Sequence, residues 1–385
     1  MTKDRKGFST RAIHDGQEPD ALTGAVGVPI YATSTFQQDE LGKSRLGYEY
    51  SRVSNPTRSR LEANLASLEG GIASRVFASG MAALSAVCQL LKPGDHVVAG
   101  NNLYGGTWRF FTQVMPKFGV EFTYVDTRGA ECVEAAMRSN TRFVYIETPT
   151  NPLMLLTDIA AVSKVAHARG AEVIVDNTFL SPYFQRPLEL GADMVMHSTT
   201  KFLNGHSDGL GGVIVCSTEQ QASDLAFIQK AYGAIMSPFE SWLVLRGVKT
   251  LPVRMKQHDV NGRAVAEFLQ RHPRVEKVFY PGLADHPQHE LAKRQMKGFG
   301  SMICFETGSL ENAKKVLKQV KLCVLGDSLG GVETLISHPA TMANASLGAE
   351  VRAKIGLTDG MVRLSVGIED VEDILADLEQ ALAAI

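Results

Sequence analysis

The chain has 385 residues, of which 44% are hydrophobic and 21% charged, values that exclude wholesale disorder and allow a sizeable core. Lys and Arg number 39 against 41 Asp and Glu, a net charge of −2, which argues against a strongly basic nucleic-acid binder. No apolar run reaches the roughly 18–20 residues of a membrane-spanning helix. Met1 to Arg11 is polar and basic and lacks the apolar segment of a signal peptide. Five scattered cysteines (Cys88, Cys132, Cys216, Cys304 and Cys323) read as reduced thiols of a cytoplasmic protein. His286-x-x-His289 has Pro287 between its histidines and no further ligand pattern, so it reads as a solvated loop, and no metal site is expected.

At about 150 residues per domain the length suggests two domains. Residues 1–50 read as an N-terminal arm, because Asp15 to Tyr31 is rich in Gly, Pro, Asp and Thr and has little period. Such an arm needs a surface, either its own subunit or a partner. Strand and helix patterns then alternate. A helix over Met81 to Leu91 precedes a strand at His96 to Ala99. Thr141 to Glu147 is a β-rich run, Asp158 to Arg169 carries one apolar helical face with Gly170 as its stop, and Glu172 to Asp176 is a buried strand. That unit predicts parallel strands. Asp193 to His197 and Gly212 to Cys216 are further strands. After about residue 250, helices (Asn261 to Arg271, Leu310 to Gln319, Val371 to Ala384) alternate with strands at Met302 to Glu306 and Met361 to Ser365. The pattern predicts a main domain over 51–248 and a smaller, partly antiparallel one over 249–385.

Three features carry chemistry. Asp176 ends an apolar strand, where a carboxylate is costly unless paired. Taken alone it also reads as a cap or a buried ion pair. Lys201 follows the next strand, and if the two strands are parallel both residues emerge at the sheet edge where open α/β folds bind ligands. A buried lysine can lose its proton and form a Schiff base. Third, Ser79-Gly80-Met81 is a small-residue turn opening a helix, and so offers an anion its N–H groups. Ser198 and Thr200 add hydroxyls beside the lysine, and Tyr104 reads either as a ring to stack on a ligand or as a core aromatic. Phosphate cradle, Schiff-base lysine and an acid for a ring nitrogen are together what pyridoxal phosphate (PLP) needs.

The same residues stand in longer motifs: Tyr48-Glu49-Tyr50-Ser51-Arg52, Glu147-Thr148-Pro149-Thr150-Asn151-Pro152, Val175-Asp176-Asn177-Thr178-Phe179, the Lys201 segment through Asp208, and Arg363-Leu364-Ser365-Val366-Gly367. From about Thr10 onward the chain resembles the PLP-dependent enzymes of Cys/Met metabolism, the trans-sulfuration enzymes. The resemblance implies the α/β fold type I, aspartate-aminotransferase-like, and a homotetramer built as a dimer of dimers. It implies that Lys201 binds the cofactor covalently and shuttles protons, that Asp176 pairs with the pyridine nitrogen, and that Tyr104 stacks on the ring and assists catalysis. Gly80, Met81, Ser198 and Thr200 would bind the phosphate, joined by Tyr50 and Arg52 of the neighbouring subunit. Asn151, Ser328 and Arg363 fall near the substrate carboxylate, which suits the guanidinium fork of Arg363.

Within the family, Glu49, Arg109 and Asp327 are similar to positions of the cystathionine γ enzymes, with Asp327 one methylene shorter than the usual Glu. Gly106 stands where methionine γ-lyases carry a cysteine. The loop Asp208-Gly209-Leu210 departs from the usual Asp-Val-Val. Pro182 to Pro187 and Pro281 to Leu291 look closer to the lyases, Ser337-His338-Pro339-Ala340 closer to the synthases. The expected activity is that of a cystathionine γ-lyase, with the γ-synthase as the alternative and a sulfhydrylase or methionine γ-lyase behind them.

Overall fold

The computed structural model describes residues 6–345 and 347–385, so the first five residues of the expected arm lie outside the described residues. Its centre is a seven-stranded sheet in the order 73–77, 212–216, 194–198, 172–176, 141–147, 96–100, 121–125. Strands 121–125, 96–100, 141–147, 172–176 and 194–198 run parallel to their neighbours. Strand Gly212–Cys216 runs antiparallel to both 194–198 and 73–77. It is reached through residues 199–211, which contain no helix and so provide no crossover back to the starting edge.

The strands are Val- and Ile-rich because both faces are covered. Val195, Val213 and Val215 pack with Leu61 and Leu65 of helix Pro56–Glu69 and Val244 and Leu245 of helix Pro238–Val248. Ile174, Met194, Met196 and Ile214 pack on the opposite layer with Leu84 and Val87 of helix Gly80–Cys88. Helix Ile159–Ala168 starts where expected, with Asp158 Oδ1 accepting from the Ala161 N–H at 3.0 Å, and Gly170 follows it at φ +75°.

A second, five-stranded sheet has the order 277–279, 302–306, 361–365, 335–337, 324–325, antiparallel except for its last pair. Helices Leu251–Arg271, Leu310–Gln319 and Val371–Leu382 cover it through Leu269, Val316 and Leu378. The first of these starts ten residues before its expected start at Asn261, with Pro252 in its first turn, where a missing N–H costs nothing.

The arm contains a helix, Phe8–His14, that its sequence did not signal. Residues 15–31 then lie along helix Pro56–Glu69 of the same chain: the Asn64 amide donates to Asp15 O at 2.8 Å, Arg60 to Glu18 O at 2.6 Å, and the Thr57 hydroxyl to Pro29 O at 2.9 Å. Beyond it, Leu41, Leu46 and Val53 are exposed. No helix among the described residues is long and apolar enough to cross a membrane.

Candidate active site

The two strand ends meet as the sequence implies. Strands Glu172–Asp176 and Met194–Ser198 are parallel, with Asp176 opposite Met196, so Asp176 and the turn that carries Lys201 leave the sheet at one edge. They open into a cavity of about 220 Å³ that is also lined by Gly80, Met81, Tyr104, Asn151, Ser198, Thr200, Asp327, Ser328 and Arg363. The structure thus brings eleven of the fifteen expected site residues to one cavity. Glu49, Tyr50, Arg52 and Arg109 do not line it within this chain and are exposed. The Arg52 guanidinium lies over the Tyr50 ring, 5.4 Å from its centroid, and donates to Lys230 O.

Lys201 Nζ donates to Ser328 Oγ at 2.8 Å. Burial, helped by the Arg363 charge and opposed by Asp327, pulls its pKa down to about 8. The ammonium is therefore easily discharged. Arg363 is itself buried, and its Nη1 and Nη2 donate to Asn151 Oδ1 and Ser328 O, each at 3.0 Å. Asn151, Ser328 and Lys201 thus surround one fork of donors.

Asp176 Oδ1 accepts from the Thr178 N–H at 3.1 Å and the Thr178 hydroxyl at 2.6 Å, and Tyr145 OH lies 3.5 Å from Oδ2. Burial raises its pKa against those hydrogen bonds. No Lys or Arg pairs with it among the described residues, so a cationic N–H from a ligand would complete it. Opposite, Ser79 caps helix Gly80–Cys88 by accepting from the Ala82 N–H at 3.1 Å. The Gly80 and Met81 N–H groups belong to the first turn, whose donors have no carbonyl partner in their own helix. A side chain at Gly80 would begin 3.1 Å from Ser198 Cβ, so glycine lets the helix start close to the Ser198 hydroxyl. Those donors fit a phosphate, the buried carboxylate fits a protonated ring nitrogen, and a lysine of lowered pKa lines the same cavity.

Glu147 was quoted in a motif but not picked out for the site. It ends strand Thr141–Glu147 directly beside Asp176 in register. Its oxygens accept from the Tyr104 N–H at 2.8 Å and the Asn151 N–H at 3.1 Å. Burial, and after it the neighbouring Asp176, raise its pKa well above the usual carboxylate range. The reasoning used for Asp176, a carboxylate closing an apolar strand, would have found it. Thr178 was missed too. It orients Asp176 and accepts from the Ser198 N–H at 2.9 Å, and short polar side chains two residues after an Asp carry little signal of their own.

A mostly parallel sheet that presents lysine and aspartate at one edge, over a helix N-terminus, defines the class of PLP enzymes of fold type I. The family profile "Cys/Met metabolism PLP-dependent enzyme" matches residues 9–383. The cystathionine γ-lyase of Bacillus subtilis is 51% identical over 376 residues, covering 98% of this chain and 99% of its own. The cystathionine γ-synthase of Mycobacterium tuberculosis is 49% identical over 390 residues, covering 99% and 100%. The crystal structure of a cystathionine γ-lyase from Lactobacillus plantarum complexed with L-serine superposes with a TM-score of 0.96 at 46% identity, covering 99% of each chain. The chain belongs to the Cys/Met metabolism PLP-dependent enzyme family, and its cofactor is pyridoxal phosphate.

Proposed function

We propose that the protein is a cystathionine γ-lyase, converting L-cystathionine and water to L-cysteine, 2-oxobutanoate and ammonia. One observation carries the reading: a single cavity holds a guanidinium at Arg363, a lysine that discharges near neutrality, and a carboxylate at Asp327. Cystathionine has an amino acid group at each end, and those charges suit it at both. The B. subtilis γ-lyase at 51% identity supports the same choice. The alternative is γ-synthase activity, in which cysteine replaces the acyl group of an O-acyl-homoserine; the M. tuberculosis relative at 49% identity favours that reading.

In this proposal Lys201 is the residue to which the cofactor attaches. The Gly80 and Met81 N–H groups and the Ser198 and Thr200 hydroxyls would hold the phosphate, Asp176 would pair with the ring nitrogen, and Tyr104 would stack on the ring. Bound PLP supplies an electron sink for the charge that develops next to the substrate nitrogen. Arg363, steadied by Asn151 and Ser328, holds the α-carboxylate and so points the α-hydrogen at a fixed place. Lys201 Nζ takes that proton as an amine and returns protons as an ammonium, a role suited to a pKa of about 8. Asp327 takes the distal ammonium.

Tyr50 and Arg52 of a neighbouring subunit of a homotetramer complete the phosphate site, and Glu49 and Arg109 join Asp327 in the distal site. Support for the shared phosphate site comes from the exposure of Tyr50 and Arg52 and of Leu41, Leu46 and Val53 in the same stretch of chain. The same reading divides the chain into an arm (1–50), a cofactor-binding domain (51–248) and a C-terminal domain (249–385), supported by the two separate sheets. Cytoplasmic location is proposed from the buried free thiols of Cys88, Cys216, Cys304 and Cys323.

The test is product analysis of the purified enzyme with cystathionine alone and with O-acyl-homoserine plus cysteine. Cysteine and 2-oxobutanoate from the first are expected. Cystathionine made rapidly in the second, with no turnover in the first, would establish the synthase instead.

A further inference from the structure

One buried cation takes no part in the site described above. Arg254, on helix Leu251–Arg271, is 3% exposed, and all its hydrogen bonds go to neutral groups. Its Nη1 donates to Phe202 O at 2.8 Å, its Nη2 to Leu203 O at 3.3 Å and Gly247 O at 2.9 Å, and its Nε to Thr250 Oγ1 at 3.2 Å. A buried charge without a counter-charge is costly, so such a group persists where its donors matter. The carbonyls it holds close two elements. Phe202 O and Leu203 O belong to the turn after Lys201, which is closed by the Gly205 N–H donating to Lys201 O at 2.8 Å. Gly247 O lies in the last turn of helix Pro238–Val248. Carbonyl ends carry partial negative charge, which the guanidinium meets. The fit has no slack, because a Cβ on Gly205 would sit 2.1 Å from Arg254 Nη1.

The next polar positions on the same helix face serve a different segment. His258 Nδ1 pairs with Val366 O at 2.8 Å, and the Asn261 amide donates to Gly367 O at 3.1 Å and Glu369 O at 2.8 Å. These residues directly follow strand Met361–Ser365, which carries Arg363. One helix face therefore grips the Lys201 turn at one end and the continuation of the Arg363 strand at the other.

We propose that Arg254 and Asn261 are positioning residues that set the placement of Lys201 Nζ relative to the Arg363 guanidinium, the proton carrier relative to the carboxylate clamp. This rests on the reading above, in which Lys201 carries the cofactor and Arg363 binds the substrate. The two ends then have separable effects. Arg254 reaches the site through Lys201 and governs kcat and the hold on the cofactor. Asn261 reaches it through Arg363, which both binds and orients the substrate, and governs KM together with kcat.

The experiment measures kcat per bound cofactor, KM, and the rate of cofactor release for the holoenzyme and for Arg254→Lys, Thr250→Val and Asn261→Ala. Arg254→Lys keeps the charge and loses the fork. A misplacement of about 1 Å costs up to about 100-fold, so kcat should fall by as much as that, with KM little changed and faster cofactor release. Thr250→Val removes one bond to the guanidinium and should act in the same direction more weakly, which keeps the test open if Arg254→Lys does not fold. Asn261→Ala should raise KM and also lower kcat, so the rise in KM is what separates it from Arg254→Lys. A purely structural role would lower Tm and the active fraction without this split. The proposal is overturned if Arg254→Lys, or Thr250→Val in its place, leaves kcat and cofactor release unchanged, or if the Arg254 and Asn261 variants change kcat and KM in the same way. Borohydride reduction of the parent enzyme separates the two failures. A label on another lysine sinks the underlying reading, whereas a label on Lys201 without the split sinks this inference alone.

Discussion

The state of Lys201 is the most accessible quantity in the site. An exposed lysine titrates near 10.5, whereas this one is brought to about 8, first by burial and then by Arg363, with Asp327 acting the other way. At pH about 7.5 about a quarter of such amines are neutral, against about one in a thousand for an ordinary lysine, a gain of roughly 200-fold in reactive amine. The same difference, 10.5 against 8, amounts to about 3 kcal/mol against burying the ammonium. Because the lowered pKa disfavours the charged form, that cost is present in full below about pH 8 and disappears as pH rises to 10.5. The perturbation is Asp327→Asn, compared with Arg363→Met. The assay strips the cofactor, mixes the protein rapidly with pyridoxal phosphate and follows absorbance across pH. Only the amine attacks, so the attachment rate should rise with pH, with a midpoint near 8. Asp327→Asn removes a group that favours the ammonium and should move the midpoint to lower pH; Arg363→Met should move it to higher pH. A parent midpoint near that of a free lysine, or both variants moving the same way, would refute the reasoning.

Three further outcomes are expected. Glu147→Gln puts an amide donor against the N–H of Tyr104 or Asn151, and leaving such a group unsatisfied costs about 1–3 kcal/mol, visible in urea unfolding and in kcat/KM; unchanged values in both would remove Glu147 from the site. Asp327→Asn should lower kcat/KM for cystathionine roughly 10–150-fold while barely changing that for methionine or homocysteine, and equal losses on all three would show that Asp327 does not read the distal end. Arg52→Ala and Lys201→Ala proteins, each inactive, should regain partial activity when their subunits are exchanged; confirmed exchange without recovery would place Arg52 outside the shared site.

The sequence made some parts of this site readable and hid others for identifiable reasons. Asp176 and Lys201 were legible because one closes an apolar strand, the other follows one closely, and parallel strands end at one edge, as the Ile174–Met194 and Asp176–Met196 registers show. The Ser79-Gly80-Met81 turn was legible from its small residues ahead of an apolar helix. The strand at 212–216 was legible but its antiparallel direction was not, because its run GVIVC has the same apolar character as the parallel strands beside it. The start of helix Leu251–Arg271 was hidden by Pro252, which marks a break in most contexts but sits here in the first turn. Arg254 was invisible for another reason. Carbonyls are present in every segment, so nothing in the sequence tells a guanidinium that binds three of them from one that faces water.

The most direct test of the account is to reduce the yellow holoenzyme with borohydride, digest it and map the labelled peptide. The account predicts one cofactor per chain, on Lys201 in the segment His197-Ser198-Thr199-Thr200-Lys201. A label on any other lysine, or a Lys201→Ala protein that keeps full turnover, would contradict it.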